Sequence, residues 1–147
     1  MVGAVNASRI LFVEDDFDEQ QSVLRVVNEF DPQIVLDIAH TGKEALIYLD
    51  NVPADELPRL VLLDLDLPIV HGLEVLKRIR RRRMTRSVPV TVFSSSVDVN
   101  DHLQCQALLA SYVQKPSTHA EYEAALKGIL TYWMRLNQFV VATSIGN

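Results

Sequence analysis

Short, nearly unbroken apolar runs alternate along this chain with longer stretches in which apolar residues recur every three or four positions. The runs are Ile10-Val13, Ile34-Ala39, Leu60-Leu63, Val90-Phe93 and a brief Tyr112-Val113 pair. Three are almost continuous and rich in branched residues, as expected for strands covered on both faces. Between the runs the period becomes helical. Val23, Val27 and Phe30 predict a first helix, with Leu24 widening its stripe. Thr41 followed by Glu44 and then Ala45, Leu46 and Leu49 has the form of a capping box at the start of a second. Leu73, Leu76 and Ile79 mark a third, and Val97 to Leu109 a fourth, with Asp98 or Asn100 near its start. Tyr122, Leu126, Ile129, Trp133 and Leu136 step along a fifth.

Regular strand-helix alternation implies a parallel sheet with helices on both faces. Right-handed crossovers leave few topologies, and the expectation is an α/β, flavodoxin-like, doubly wound five-stranded sheet of order 2-1-3-4-5. The elements predict a domain over residues 9–137, an N-terminal extension over 1–8 and an apolar C-terminal tail over 138–147. At 147 residues and 48% hydrophobic, the chain can fill one core. Its net charge of −5 disfavours binding to DNA or to an anionic membrane. Cys105 is the sole cysteine, which excludes an internal disulfide and a cysteine-built zinc site. No apolar run approaches the roughly 18 residues of a membrane span, and the N-terminus lacks the pattern of a secretory leader. The expected location is the cytoplasm.

The chemistry gathers at the strand ends. Glu14-Asp15-Asp16 follows the first run, Asp64 and then Asp66 follow the third, Ser94-Ser95-Ser96 the fourth, and Lys115-Pro116 the fifth. In the expected topology these groups meet at one edge of the sheet. Several carboxylates there repel one another unless a cation compensates. Oxygen donors without His or Cys favour a hard ion, Mg²⁺ above all. A lysine and a hydroxyl beside such acids suit phosphoryl transfer onto a carboxylate.

The same residues carry a family resemblance. Ile10-Asp15 with Asp64, the stretch Leu62-Gly72, Pro89-Ser95 and Tyr112-Pro116 are similar, in order and spacing, to the motifs of bacterial response-regulator receiver domains with the CheY-like fold. The resemblance implies that Glu14 and Asp15 hold Mg²⁺, with Mn²⁺ or Ca²⁺ able to substitute. It makes Asp64 both metal ligand and phosphorylation site, with the backbone carbonyl of Asp66 as a further ligand. Ser94 bonds the phosphoryl group, Lys115 pairs with it, and Tyr112 takes the aromatic switch position. A cis peptide between Lys115 and Pro116 is also implied. The partner is then a sensor histidine kinase. Within the family, LLDLDLP and the lack of an output segment look most like the regulators of bacterial phytochromes, which implies a bacteriophytochrome kinase. Two positions depart from the usual pattern: Glu14 stands where Asp is commoner, and His71 precedes Gly72 where many relatives have Asp.

Plainer readings stand beside these. Glu14-Asp15-Asp16 could simply open a helix, a role expected of Asp16 in any case. Asp64 could be a turn residue before Pro68, but a carboxylate ending an apolar strand is costly to bury without a partner. Ser95 or Ser96 is expected to cap the fourth helix. The arginine-rich stretch from Arg78 to Arg86 reads as a solvated helix terminus, His102 and His119 as surface residues, and Cys105 as packing. Tyr132, Trp133, Met134 and Phe139-Val140-Val141-Ala142 exceed what one core face needs, which predicts a homodimer through the last helix and tail. The alternative function is a Mg²⁺-dependent phosphohydrolase with an aspartate nucleophile, since Asp64-Leu65-Asp66 resembles the acidic core of haloacid dehalogenases. There the second acidic cluster follows the motif, whereas here it precedes it. A flavin carrier is disfavoured because the acidic loop after the first strand repels phosphate.

Overall fold

The computed structural model describes residues 8–138. Five parallel strands, β1 (Arg9–Val13), β2 (Val35–Ala39), β3 (Leu60–Leu63), β4 (Val90–Ser94) and β5 (Ser111–Gln114), form one sheet of order β2-β1-β3-β4-β5. The helices are α1 (Phe17–Phe30), α2 (Gly42–Asn51), α3 (Gly72–Arg81), α4 (Val99–Ala107) and α5 (His119–Thr131). This is the doubly wound, CheY-like arrangement that the alternation predicts.

Side chains alternate across a strand, so each central strand feeds two cores. Leu11, Val13, Leu63 and Val92 pack with Ala45, Leu49, Leu76, Ile79 and Cys105 from α2, α3 and α4. Ile10, Phe12, Leu62 and Phe93 pack with Val23, Val27, Leu126 and Ile129 from α1 and α5. The apolar continuity of β1, β3 and β4 is thus a direct consequence of burial on both faces.

Local signals set the helix starts. Asp16, Thr41, Asp98 and Thr118 cap α1, α2, α4 and α5 through side-chain oxygens that accept first-turn backbone N–H groups. At α2 the return bond of the box shifts by one residue: Glu44 accepts from the backbone N–H of His40 at 3.3 Å. Asp98, not Ser95 or Ser96, caps α4, because only its oxygen reaches the N–H groups of both Asn100 and Asp101. Val97 therefore lies before the helix rather than in it.

Three other expectations change. Leu24 faces solvent, since the buried stripe of α1 runs through Val23, Val26 and Val27 and the next residue turns away from it. Beyond Thr131 the helix widens to a π-turn over Tyr132–Leu136. Trp133 and Met134 pack on the α1–α5 core while Leu136 is exposed, because the wider turn shifts the three-four spacing. The arginine stretch is not uniformly solvated. Arg80 donates to the carbonyls of Leu108 (2.7 Å), Val88 (2.7 Å), Arg86 (3.0 Å) and Leu109 (3.3 Å). Its planar fork satisfies the open carboxyl end of α4 and ties α3 to it. The apolar tail Phe139-Ala142, assigned to a dimer contact from the sequence, lies outside the described residues.

Candidate functional site

The sheet's hydrogen-bond ladder continues one residue past several strand ends, and this is what fixes the candidate site. Glu14 N–H donates to Ala39 O (3.1 Å), Asp64 N–H to Val13 O (3.1 Å) and Lys115 N–H to Ser94 O (2.8 Å). Each polar residue is therefore held by backbone while its side chain projects over the carboxyl edge of the sheet. Gly72 closes the far side of the β3–α3 loop. A Cβ there would lie 2.3 Å from the Asp64 carbonyl oxygen, so only glycine lets the start of α3 approach. His71 caps α3 by accepting Leu73 N–H at Nδ1 (3.2 Å). Before it the loop makes a three-residue turn, Val70 N–H to Pro68 O at 2.7 Å, with Ile69 at a φ of 65°.

Ligand oxygens of Glu14, Asp15 and Asp64 come within 4.8 Å of one another. Glu14 is 1% exposed and Asp64 5%, whereas Asp15 faces solvent. Into this group reaches the Lys115 ammonium, 2.8 Å from Glu14 Oε1, 2.9 Å from Glu19 Oε1 and 3.7 Å from Asp64 Oδ1. Among the described residues the buried Asp64 Oδ1 has no hydrogen-bond partner.

Burial pushes the Glu14 carboxyl well above the usual range, the Lys115 bond opposing it and the Asp64 charge adding to it. Burial likewise raises Asp64, opposed chiefly by the Lys115 charge. Burial would lower Lys115, but the charges of Asp64 and Glu14 and the bonds to both glutamates overcome it and raise its pKa. Crowded, buried acids with raised pKa values around one ammonium describe a site short of positive charge. A hard divalent cation fits it: the donors are all oxygen, three converge, and one buried carboxylate oxygen is unpartnered.

Ser94 and Tyr112 lie in an adjoining hydrogen-bonded loop. Ser94 is fully buried at the end of β4, and its Oγ accepts from Ser96 N–H at 3.2 Å. Tyr112 hydroxyl donates to Ser96 O at 2.8 Å, and Ser96 Oγ donates to Asp101 at 3.0 Å. Exposed His102 stacks on the Tyr112 ring with centroids 4.3 Å apart. The loop thus links Ser94 to Tyr112 through a single residue, Ser96. Asp66 is exposed on the loop after β3. No peptide bond among the described residues is cis, which corrects the expectation for Lys115-Pro116. The trans isomer is intrinsically preferred by about 0.5–1 kcal/mol for an X–Pro bond.

Two contributors went unnoticed in the sequence. Glu19 grips Lys115 and also accepts from the Tyr122 hydroxyl at 2.9 Å. Buried Gln20 donates to the Glu14 carbonyl at 2.6 Å, fixing the turn into α1. The available signal was helical phase. With Asp16 as the cap, Glu19 and Gln20 fall on the side of the first turn nearest the strand end.

Comparison with known proteins follows the same lines. The sequence model of the family described as "Response regulator receiver domain" matches residues 10–127. The chain is 33% identical over 132 residues to the probable methanogenesis regulatory protein FilR2 of Methanothrix harundinacea, covering 88% of this chain and 85% of that protein. It spans only 34% of a protein-glutamate methylesterase/glutaminase of Trichodesmium erythraeum and 56% of the transcriptional regulator CpxR of Klebsiella pneumoniae. Among solved structures it resembles the phosphorylated cyanobacterial phytochrome response regulator RcpA (26% identity, TM-score 0.83, 89% of this chain and 96% of that one). It also resembles the Mn²⁺-bound form of response regulator Rcp1 (27% identity, TM-score 0.84, 91% and 99%).

Proposed function

The chain belongs to the response-regulator receiver family, and from that membership we propose that it takes a phosphoryl group from a histidine kinase onto Asp64 and changes its interaction surface in response. The observation that carries this reading is the unpartnered, buried Asp64 Oδ1 lying 3.7 Å from the Lys115 ammonium. A nucleophilic oxygen without a hydrogen bond needs no bond broken before it attacks. One Asp64 oxygen forms the new O–P bond as the donor's N–P bond breaks, and the departing imidazole nitrogen keeps the bonding pair. Lys115 neutralises charge on the transferred group. Glu14, Asp15, Asp64 and the Asp66 carbonyl would hold Mg²⁺, or Mn²⁺ or Ca²⁺ in its place, which supplies further charge neutralisation. Hydrolysis of the acyl phosphate resets the site.

The output follows from the Ser96 link. A phosphoryl group draws the Ser94 hydroxyl toward Asp64, which removes the acceptor now bonded to Ser96 N–H. Ser96 and Tyr112 then repack, altering the surface that includes His102. Incubation with Mg²⁺ and acetyl phosphate followed by intact mass tests the proposal. One added phosphoryl group is expected on the native protein and none on Asp64→Asn; a folded native protein that stays unmodified refutes it.

A phytochrome kinase as the donor is supported by the likeness to the cyanobacterial phytochrome response regulator RcpA. Phosphotransfer from a red-light photoreceptor kinase would be measured against a kinase of another class, and equal rates would remove that assignment. Turnover of separate phosphate esters is disfavoured, since the acidic pair precedes Asp64 and the chain belongs to the receiver family. A homodimer through α5 and residues 138–147 is supported by exposed Tyr132 and Leu136 beyond the end of α5. Sedimentation of the full chain against one ending at Gln138 tests it; equal molecular mass for both counts against the tail. No helix among the described residues is long and apolar enough to cross a membrane.

A further inference from the structure

Lys115 in this structure spends its hydrogen bonds on groups other than the one it would serve. Its ammonium makes a 2.8 Å bond to Glu14 and reaches both oxygens of Glu19, at 2.9 and 3.1 Å, while Asp64 Oδ1 stands beyond hydrogen-bond range at 3.7 Å. An ammonium has three protons to give, and its two hydrogen bonds go to Glu14 Oε1 and Glu19 Oε2. Glu19 is itself held on two sides. Its backbone N–H is capped by Asp16 at 3.0 Å, and its Oε1 accepts from Tyr122 hydroxyl at 2.9 Å. Tyr122 packs on Phe93 with ring centroids 5.0 Å apart. Elements α1, α5 and the end of β5 therefore meet at one carboxylate, which sits outside the three-acid cluster of Glu14, Asp15 and Asp64.

Resting on the reading of Asp64 as phosphoacceptor, the geometry points to Glu19, oriented by Tyr122, as a positioning residue that parks Lys115 on the α1–α5 side until Asp64 is phosphorylated. A phosphoryl group adds nearly two negative charges and strong acceptor oxygens, enough to compete with Glu19 for the ammonium. Lys115 would then leave Glu19, and the freed carboxylate keeps only Tyr122. The exchange makes the α1–α5 seam sensitive to phosphorylation, in addition to the Ser94–Ser96–Tyr112 loop. It also makes Glu19 a brake: each phosphorylation event must overcome its hold on Lys115.

The test compares Glu19→Gln, Tyr122→Phe and the native chain. Gln keeps an acceptor for Tyr122 but loses the charge that attracts Lys115. With Mg²⁺ at fixed concentration, the acetyl phosphate concentration giving half-maximal phosphorylation should fall about fivefold in Glu19→Gln and less in Tyr122→Phe, as a charged partner weakens or loosens. In metal-free protein labelled with ¹⁵N-lysine, the Lys115 ammonium protons should exchange with water faster in Glu19→Gln than in the native chain. A general loss of packing would appear instead as a lower unfolding midpoint with unchanged Lys115 exchange, and that result overturns the proposal. So does an unchanged or raised half-maximal concentration in a folded variant. Failure of the native protein to take phosphate at all would strike the phosphoacceptor reading instead, and the metal-free exchange comparison would still decide whether Glu19 holds Lys115.

Discussion

Two half-buried cations in this molecule have opposite surroundings. Arg80, at the α3–α4 seam, spends its donors on the backbone carbonyls of Leu108, Leu109, Arg86 and Val88. Burial lowers its pKa. Lys115, at the carboxyl edge of the sheet, is also withdrawn from water in part, yet Asp64, Glu14 and Glu19 raise its pKa. Carbonyl partners are fixed by the fold and cannot be exchanged without unfolding a helix end. Carboxylate partners are alternatives among which an ammonium can choose. The contrast separates a cation that holds structure together from one that can be redirected by a new anion.

That contrast can be broken most sharply at Lys115. In Lys115→Met, phosphorylation by acetyl phosphate should slow about 100-fold, the scale of losing one preorganised charge-stabilising donor. The circular dichroism spectrum should stay native, since Lys115 stands at the edge of the sheet and belongs to neither apolar core. A rate within a factor of a few of the native one would remove Lys115 from the chemistry.

The converse change is Arg80→Met. Here phosphorylation should be retained while urea unfolding shows a loss of about 2 kcal/mol, the cost of leaving helix-end carbonyls without their shared donor. Arg80→Lys should recover only part of it, because a lysine lacks the planar fork. If Arg80→Met instead lost phosphorylation with full stability, the distinction between the two cations would fail.

The smallest effect concerns Cys105, which packs under the end of α4 that Arg80 holds. Its backbone carbonyl accepts from Leu108 and Ala110 N–H groups. Burial pushes the thiol from 9 up to about 11. At pH 8 the folded protein therefore carries about a hundredfold less thiolate than the unfolded chain, and iodoacetamide should label it correspondingly slowly. The sign for stability follows. The folded state holds this proton more tightly, so the thiol's contribution declines as pH rises above 9 and is lost beyond about 11. Arg80→Met should speed labelling, whereas Lys115→Met should leave it unchanged.

Much of this protein was legible along the chain because the relevant forces are local or periodic. Unbroken apolar runs identified β1, β3 and β4, since residues buried on both faces admit no polar alternation. Asp16 and Thr41 were visible as helix starts because an N-cap acts within three residues, whereas the cap of α4 was expected at Ser95 or Ser96 and is Asp98. The acids and lysine at the strand ends were visible because a polar group ending a buried strand is costly without a purpose. Partners brought from distant segments were not legible. Arg80 read as solvated charge because two of its carbonyl acceptors, Leu108 and Leu109, come from the distant end of α4. Leu136 read as core because spacing alone could not reveal the π-turn that rotates it outward. Glu19 and Tyr122 are separated by about a hundred residues of chain and meet only because α1 and α5 pack on the same face of the sheet. The sequence by itself determined which groups stand at the edge of the sheet; the packing of helices onto that sheet decided which of them hold one another.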